Sequence, residues 1–185
     1  MKNSFLITEV VEPYAQALMS VAESNDSSEA FGQELRSLLE LLKNSSDLRE
    51  FLANPILDSS DKKAVLRQVF GEESNSYLIN FFMLLVDRRR IIFLEEICHK
   101  YLELLRKKNG TALAIVTSAM ELSDAQREAA SDKVKQMTNA QSVELQTVID
   151  PDLIGGVIIK VGSEVLDASL RGQLRRIGVR LNSAT

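Results

Sequence analysis

The residues of this chain best equipped for chemistry are Cys98 with His99, the pair Gly155-Gly156, Asp167 with Ser169, and two clusters of arginines. A thiol nucleophile or a metal site would need the single cysteine and the single histidine to converge. They are sequence neighbours inside an expected helix, and such neighbours point about 100° apart. Both are therefore read as structural. Gly155-Gly156 would cradle a phosphate if it followed a strand and opened a helix. It precedes the apolar run Val157-Ile158-Ile159, which is the order of a bulge or a close backbone approach. Ser169 and Asp167 lack a histidine near them in sequence, and His99 belongs to another part of the chain, so no triad is expected. These observations predict a protein with no catalytic residues, no cofactor and no metal.

The arginines remain. Arg88-Arg89-Arg90 is the densest positive run. It can be a solvated cluster favourable to the dipole of the preceding helix, or a contact for an acidic partner. Arg171, Arg175, Arg176 and Arg180 fall on or near the polar face of the last predicted helix. There they are either solvated or form a basic surface on which an acidic helical partner could dock. Exposed ion pairs contribute at most ~1 kcal/mol each, so tight binding at either cluster has to come from apolar burial.

The elements that position these residues follow from periodicity. The turn at Asp150-Pro151 is set by the proline. β-branched density predicts a strand over residues 157–161. Gly162-Ser163 suits a two-residue hairpin turn with glycine first, and Glu164-Val165-Leu166 returns as the partner strand. Asp167 or Ser169 can cap a terminal helix whose apolar stripe is Leu170, Leu174, Ile177 and Leu181.

Upstream, Val10, Val11, Tyr14, Ala17, Leu18 and Val21 predict a first helix over 8–23. Asp26, with Glu29 three residues on, reads as the cap of a second helix. Its core face would be Phe31, Leu35, Leu38, Leu39 and Leu42. One or two helical turns follow over 47–52 and end at Asn54-Pro55. Ser59 or Ser60 caps a fourth helix over 61–70, stopped by Gly71. Residues 75–86 are apolar almost all round, so that helix is either central or covered by a partner. Residues 91–107 repeat apolar side chains at three and four. Beyond Lys107-Lys108-Asn109-Gly110 the period changes: a strand over 111–117, a helix with the capping box Ser123/Gln126 running to Met137, and a half-buried strand in which Val143, Leu145, Thr147 and Ile149 alternate with polar residues. The predicted class is α+β: a six-helix bundle over 1–108, then a small α/β unit over 109–185 with a short mixed sheet, a hairpin and a terminal amphipathic helix.

Composition narrows the function. With 45% hydrophobic and 26% charged residues the chain is ordinary for a globular protein. No apolar run of 18 residues exists, so no membrane span is expected. The N-terminus has neither a secretory nor a transit pattern, which predicts that the protein stays in the compartment where it is made. One cysteine allows no internal disulfide. A net charge of −4, acidic up to Ser76 and basic from Tyr77 to Lys108, argues against a dedicated nucleic-acid binder.

The run from Ile154 to Gly172, G-G-V-I-I-K-V-G-S-E-V-L-D-x-S-L-R-G after the isoleucine, resembles the C-terminal signature of the delta-subunit family of F-type ATP synthases, of bacterial or cyanobacterial type. This is the family of the mitochondrial oligomycin-sensitivity-conferring protein. Glu12 to Leu18, E-P-Y-A-Q-A-L, is similar to the family's opening, and the length and helical first half agree. Ala168 stands where the family signature usually carries glycine.

The resemblance implies a non-catalytic stator that ties the catalytic head to the peripheral stalk and resists rotor torque. It implies that the bundle receives an amphipathic N-terminal helix of an alpha subunit between its first and fifth helices. Carried onto this sequence, that groove is Tyr14, Ala17, Leu18 and Val21 with Leu78, Phe82 and Leu85. It implies that the C-terminal unit binds the ends of the b-type stalk subunits, here through Arg171, Leu174, Arg175, Ile177 and Leu181. The beta subunit of the head would be a further partner. The protein would sit peripherally on the cytoplasmic side of a plasma or thylakoid membrane. Residue chemistry alone leaves two alternatives: a helical adaptor of an unrelated assembly, and an RNA-binding helical protein that uses its arginine clusters.

Overall fold

A computed structural model describes residues 2–71 and 74–175, with only the backbone described for residues 2–8. The chain divides into two compact units, Met1–Leu105 and Arg106–Thr185. No described helix is long and apolar enough to cross a membrane.

The first unit is helical. It contains α1 (Lys2–Ser24), α2 (Ser28–Asn44), α3 (Ser46–Ala53), α4 (Ser59–Phe70) and α5 (Ser76–Asp87), followed by a 3-10 turn (Ile91–Phe93) that leads into α6 (Leu94–Lys108). Its core gathers Leu18, Phe31, Leu35, Leu78, Phe82, Leu85, Tyr101 and Leu105, each at most 1% exposed. Phe70 stacks on Phe82 with ring centroids 4.7 Å apart, a geometry that adds to the area each ring buries. The Tyr101 hydroxyl donates to the Ser28 carbonyl at 2.9 Å, so this buried ring keeps its polar tip satisfied. Lys62 is a buried cation whose Nζ donates to the carbonyls of Leu52 (2.8 Å) and Asn54 (2.6 Å), at the C-terminal end of α3 where a positive charge is favoured.

Two expected caps are corrected. Asp26 does not cap α2. It takes φ +51° and closes α1 instead: its amide reaches the Glu23 carbonyl at 3.1 Å, and the Ser27 amide reaches Ala22 at 2.8 Å. That pair of bonds is a Schellman ending, and it leaves Ser27 as the N-cap of α2, with no side-chain cap bond. Likewise Asp58, rather than Ser59 or Ser60, precedes α4. Of the expected α2 core face, Phe31, Leu35, Leu38 and Leu42 are buried, while Leu39 is only partly so.

The second unit is built on a four-stranded sheet of order β2-β1-β3-β4, formed by β1 (Thr111–Ser118), β2 (Ser142–Ile149), β3 (Val157–Val161) and β4 (Glu164–Asp167). β1 and β2 run parallel, joined through α7 (Asp124–Thr138), and the other two pairings are antiparallel. The Ser123 hydroxyl accepts from the Gln126 amide and the Gln126 side chain accepts from the Ser123 amide, completing the predicted capping box. The core is small: Ala114, Val116, Leu122, Ala130, Val134 and Ile159. Val161 pairs with Glu164, so the hairpin loop is Gly162-Ser163, and Gly162 has φ +58° as its first position requires. One strand expectation is corrected. Ile149 ends an edge strand and is exposed, because nothing in the small core reaches that end of β2.

Candidate docking surfaces

The expected groove lies on α1 and α5, and the two helices share their apolar residues between core and surface. On α1, Val11, Ala15, Leu18 and Ala22 turn inward, whereas Ala17 and Val21 are exposed and Val10 and Tyr14 are half-buried. Val10, Tyr14, Ala17 and Val21 recur at spacings of four and three, one continuous helical stripe. On α5, Leu78, Phe82 and Leu85 face the core. Tyr77 (50% exposed), Phe81 and Leu84 (44%) form a second stripe beside them. The two outer stripes meet where Tyr14 packs edge-on against Phe81, with ring centroids 6.4 Å apart.

Four of the seven residues expected to line a groove, Leu18, Leu78, Phe82 and Leu85, are therefore core residues that no partner can touch in this structure. Tyr14, Ala17 and Val21 are at the surface. The outer stripes also hold Val10, Tyr77, Phe81 and Leu84, which the expected groove did not include. A helix apolar all round gives no sequence signal for which side faces in, so only packing could assign them.

The arginine run completes the outer stripe of α5, since Arg88 follows Leu84 by four residues. Arg89 takes φ +55° and donates its amide to the Val86 carbonyl at 3.0 Å, while the Arg90 amide reaches Leu85 at 2.7 Å. This is the same Schellman ending as on α1, with an arginine where glycine is the unstrained choice. Nearby Asp87 is engaged by Lys63 at 2.6 Å. Arg88 and Arg89 are exposed.

In the second unit the chain is helical over residues 170–175, and its start is held by polar contacts. The Ser169 hydroxyl donates to Asp167 Oδ1 at 2.6 Å and accepts from the Gly172 amide at 3.0 Å, while Asp167 Oδ1 also accepts from the Ser169 amide at 3.0 Å. Ser169 is thus the N-cap, and Asp167 aims its hydroxyl. A side chain at position 172 would collide with the Asp167 carboxylate, and one at 156 with the backbone of Ala168 and Ser169. Gly156 also has φ +79°. The Gly155-Gly156 pair is accordingly a close backbone approach, and the Leu170 amide donates to the Gly155 carbonyl at 3.0 Å.

Of the residues expected to bind the stalk, Arg171, Leu174 and Arg175 are exposed on this helix, Leu174 at 62%, and Leu170 beside them at 47%. Ile177 and Leu181, with Arg176 and Arg180, lie outside the described residues. Ile154 was missed. It is 70% exposed, next to Gly155, and holds φ +66° and ψ −38°. A β-branched residue at positive φ is an outlier costing about 1–3 kcal/mol. It falls between the turn expected at Asp150-Pro151 and the strand expected over 157–161, and no sequence signal marks a strained φ.

Cys98 and His99 do not share an environment. Cys98 is buried and burial pushes its thiol well above the ordinary range, whereas His99 on the next position is exposed. Among the described residues no three His, Cys, Asp or Glu side chains gather as metal ligands do.

A sequence model of the ATP synthase delta (OSCP) subunit family matches residues 10–181. The chain is 58% identical to ATP synthase subunit delta of Gloeothece citriformis over 98% of both chains. It is 57% identical to ATP synthase subunit delta of Crocosphaera subtropica over the full length of both. Among solved structures it superposes on a chain of the cryo-EM Toxoplasma gondii mitochondrial ATP synthase hexamer with TM-score 0.73 and 24% identity, covering 91% of this chain and 95% of that one.

Proposed function

The chain belongs to the ATP synthase delta (OSCP) subunit family, whose members are non-catalytic stator subunits, and we propose that its two units grip two different parts of that enzyme. The first unit, residues 1–108, takes the amphipathic N-terminal helix of an alpha subunit of the catalytic head, with the beta subunit as a further contact. The second, residues 109–185, takes the C-terminal ends of the b-type subunits of the peripheral stalk. The protein lies peripherally on the cytoplasmic side of its membrane, and its cyanobacterial relatives favour the thylakoid. Family membership removes the two alternatives, an unrelated adaptor and an RNA binder.

The observation that supports the first contact is the double stripe on α1 and α5, with Val21, Tyr77 and Leu84 exposed around the Tyr14–Phe81 contact. A helix with apolar residues at i, i+3, i+4 and i+7 fits such a surface. Binding that outlasts many catalytic turnovers calls for nanomolar affinity, about −12 kcal/mol. Surface arginines at ~1 kcal/mol each cannot supply this, so Arg88 and Arg89 orient the partner and the apolar stripes hold it.

Calorimetric titration with a synthetic alpha-subunit N-terminal helix tests the reading. Tyr77→Asp and Leu84→Asp change exposed residues and should leave the fold intact while abolishing capture. Raising the salt to physiological levels should weaken the parent only modestly. Unchanged binding by both folded variants would place the contact on another face.

A further inference from the structure

We infer that Ile154 is an anchor of the stalk-docking surface, presented together with Leu170 and Leu174 to an amphipathic helix whose apolar stripe is flanked by acidic residues. The inference rests on the reading of the second unit as the stalk-binding part and adds the residue that reading lacked.

Two properties of Ile154 conflict unless a partner resolves them. It occupies a backbone conformation that disfavours a β-branched side chain, φ +66°, and it leaves that large apolar side chain 70% exposed. Burial therefore does not repay the strain within the unit. Strain of this kind persists where the surroundings over-determine it and concentrates at binding sites. The surroundings here are defined. The Ile154 amide donates to the Pro151 carbonyl at 3.3 Å, Asp150 Oδ1 accepts from the Asp152 amide at 3.0 Å, and Gly155 is bonded through its carbonyl to Leu170. Leu170 lies directly over Gly155: a Cβ at 155 would sit 3.0 Å from Leu170 Cδ1. The loop thus delivers Ile154 beside the start of the terminal helix, where Leu170 and Leu174 are also exposed, one turn apart.

The flanks specify the occupant. Arg171 and Arg175 follow Leu170 and Leu174 by one position each, so a basic ridge runs alongside the apolar one. An apolar ridge bordered by arginines matches a helix with acidic residues beside its own apolar stripe. On the reading of the second unit proposed above, that helix is the end of the stalk. The polar cap Asp167–Ser169–Gly172 fixes where the terminal helix begins, and with it the spacing between Ile154 and Leu170.

The test uses the full chain and a synthetic peptide covering the C-terminal helix of the stalk subunit from the same organism, titrated by calorimetry alongside thermal melts. Ile154→Gly accepts this backbone without strain, Ile154→Asn removes the β-branch that strains it, and both remove the apolar side chain. The expected result is that each melts no lower than the parent yet binds at least about tenfold more weakly, as truncation of an anchor does. A peptide with its acidic residues changed to amides should also bind the parent more weakly, most clearly at low salt. If both variants bind as the parent does, Ile154 is no anchor, although the stalk reading survives. If both melt lower, the side chain supports the fold and the inference falls. If the parent itself ignores the peptide, the stalk reading falls and takes the inference with it.

Discussion

The two proposed docking surfaces are made in opposite ways. On α1 and α5 the chain has more apolar residues than the bundle core can take, and the surplus stays outside: Leu78, Phe82 and Leu85 face in while Tyr77, Phe81 and Leu84 face out. No backbone strain is needed, because regular helices present both stripes. In the second unit the core is six small or medium side chains around one sheet, and its exposed apolar residues are scattered over the sheet, the loops and the terminal helix. Those of the proposed docking surface are placed individually, Ile154 by a strained loop and Leu170 and Leu174 by a hydrogen-bonded helix cap at Ser169. The fold of the first unit should therefore tolerate substitution in its outer stripes, where a change would show in capture of a partner and not in stability. The second surface depends on a few backbone positions with no redundancy.

The largest expected effect breaks the first unit alone. Phe82→Asp puts a carboxylate where Phe70 stacks and nothing can pair with it, a cost beyond about 4 kcal/mol. The helical signal of residues 1–108 should collapse, while amide exchange in β1 and β3 stays protected. A fragment ending at Lys108 should fold by itself as a helical bundle, read by circular dichroism. A disordered fragment, or the joint loss of both units in the variant, would show that they do not fold independently.

A smaller effect is expected in the second unit. Gly162→Val meets no steric obstacle, but it forces a β-branched residue to φ +58°, costing about 1–3 kcal/mol. Its melt should shift the α/β unit and leave the bundle transition unmoved. A melt identical to the parent would mean the hairpin finds another turn at no cost.

The smallest difference is in alkaline stability. Burial raises the thiol of Cys98 and, together with the charges of Glu29 and Glu23, the phenol of Tyr101, both in the first unit. A group whose folded pKa is raised adds stability that is complete below its unfolded pKa and is lost as pH rises past it. The bundle should therefore weaken above about pH 9, where the unfolded thiol and phenol ionise. Lys62, lowered by burial, acts in the opposite sense and softens the slope. The second unit has neither cysteine nor tyrosine, so its stability should change less over the same range. Chemical denaturation followed separately in each unit at pH 8 and pH 10 reads the contrast, and equal slopes would remove it.

Sequence alone determined which segments are helices and strands, because apolar spacing of 3.6 or 2 is a local property. It determined the Ser123/Gln126 capping box and the Gly162 turn, because each depends on residues three or fewer positions apart. The run from Ile154 to Gly172 carried the family, and its Gly155, Gly156, Asp167, Ser169 and Gly172 prove to be where the start of the terminal helix is held. Tertiary structure decided everything that required a choice between equivalent local options. Asp26 could cap the helix after it or close the one before it, and the packing of α1 chose the latter. Phe82 and Leu84 read alike as apolar residues of one helix, yet one is core and the other surface. Ile154 lies between the expected turn at Asp150-Pro151 and the expected strand over 157–161, where sequence sets no backbone angle, and the hydrogen bonds of the Asp150–Gly155 loop hold it at positive φ. Periodicity fixes angles around an axis; which angle meets another element is set only when the elements pack.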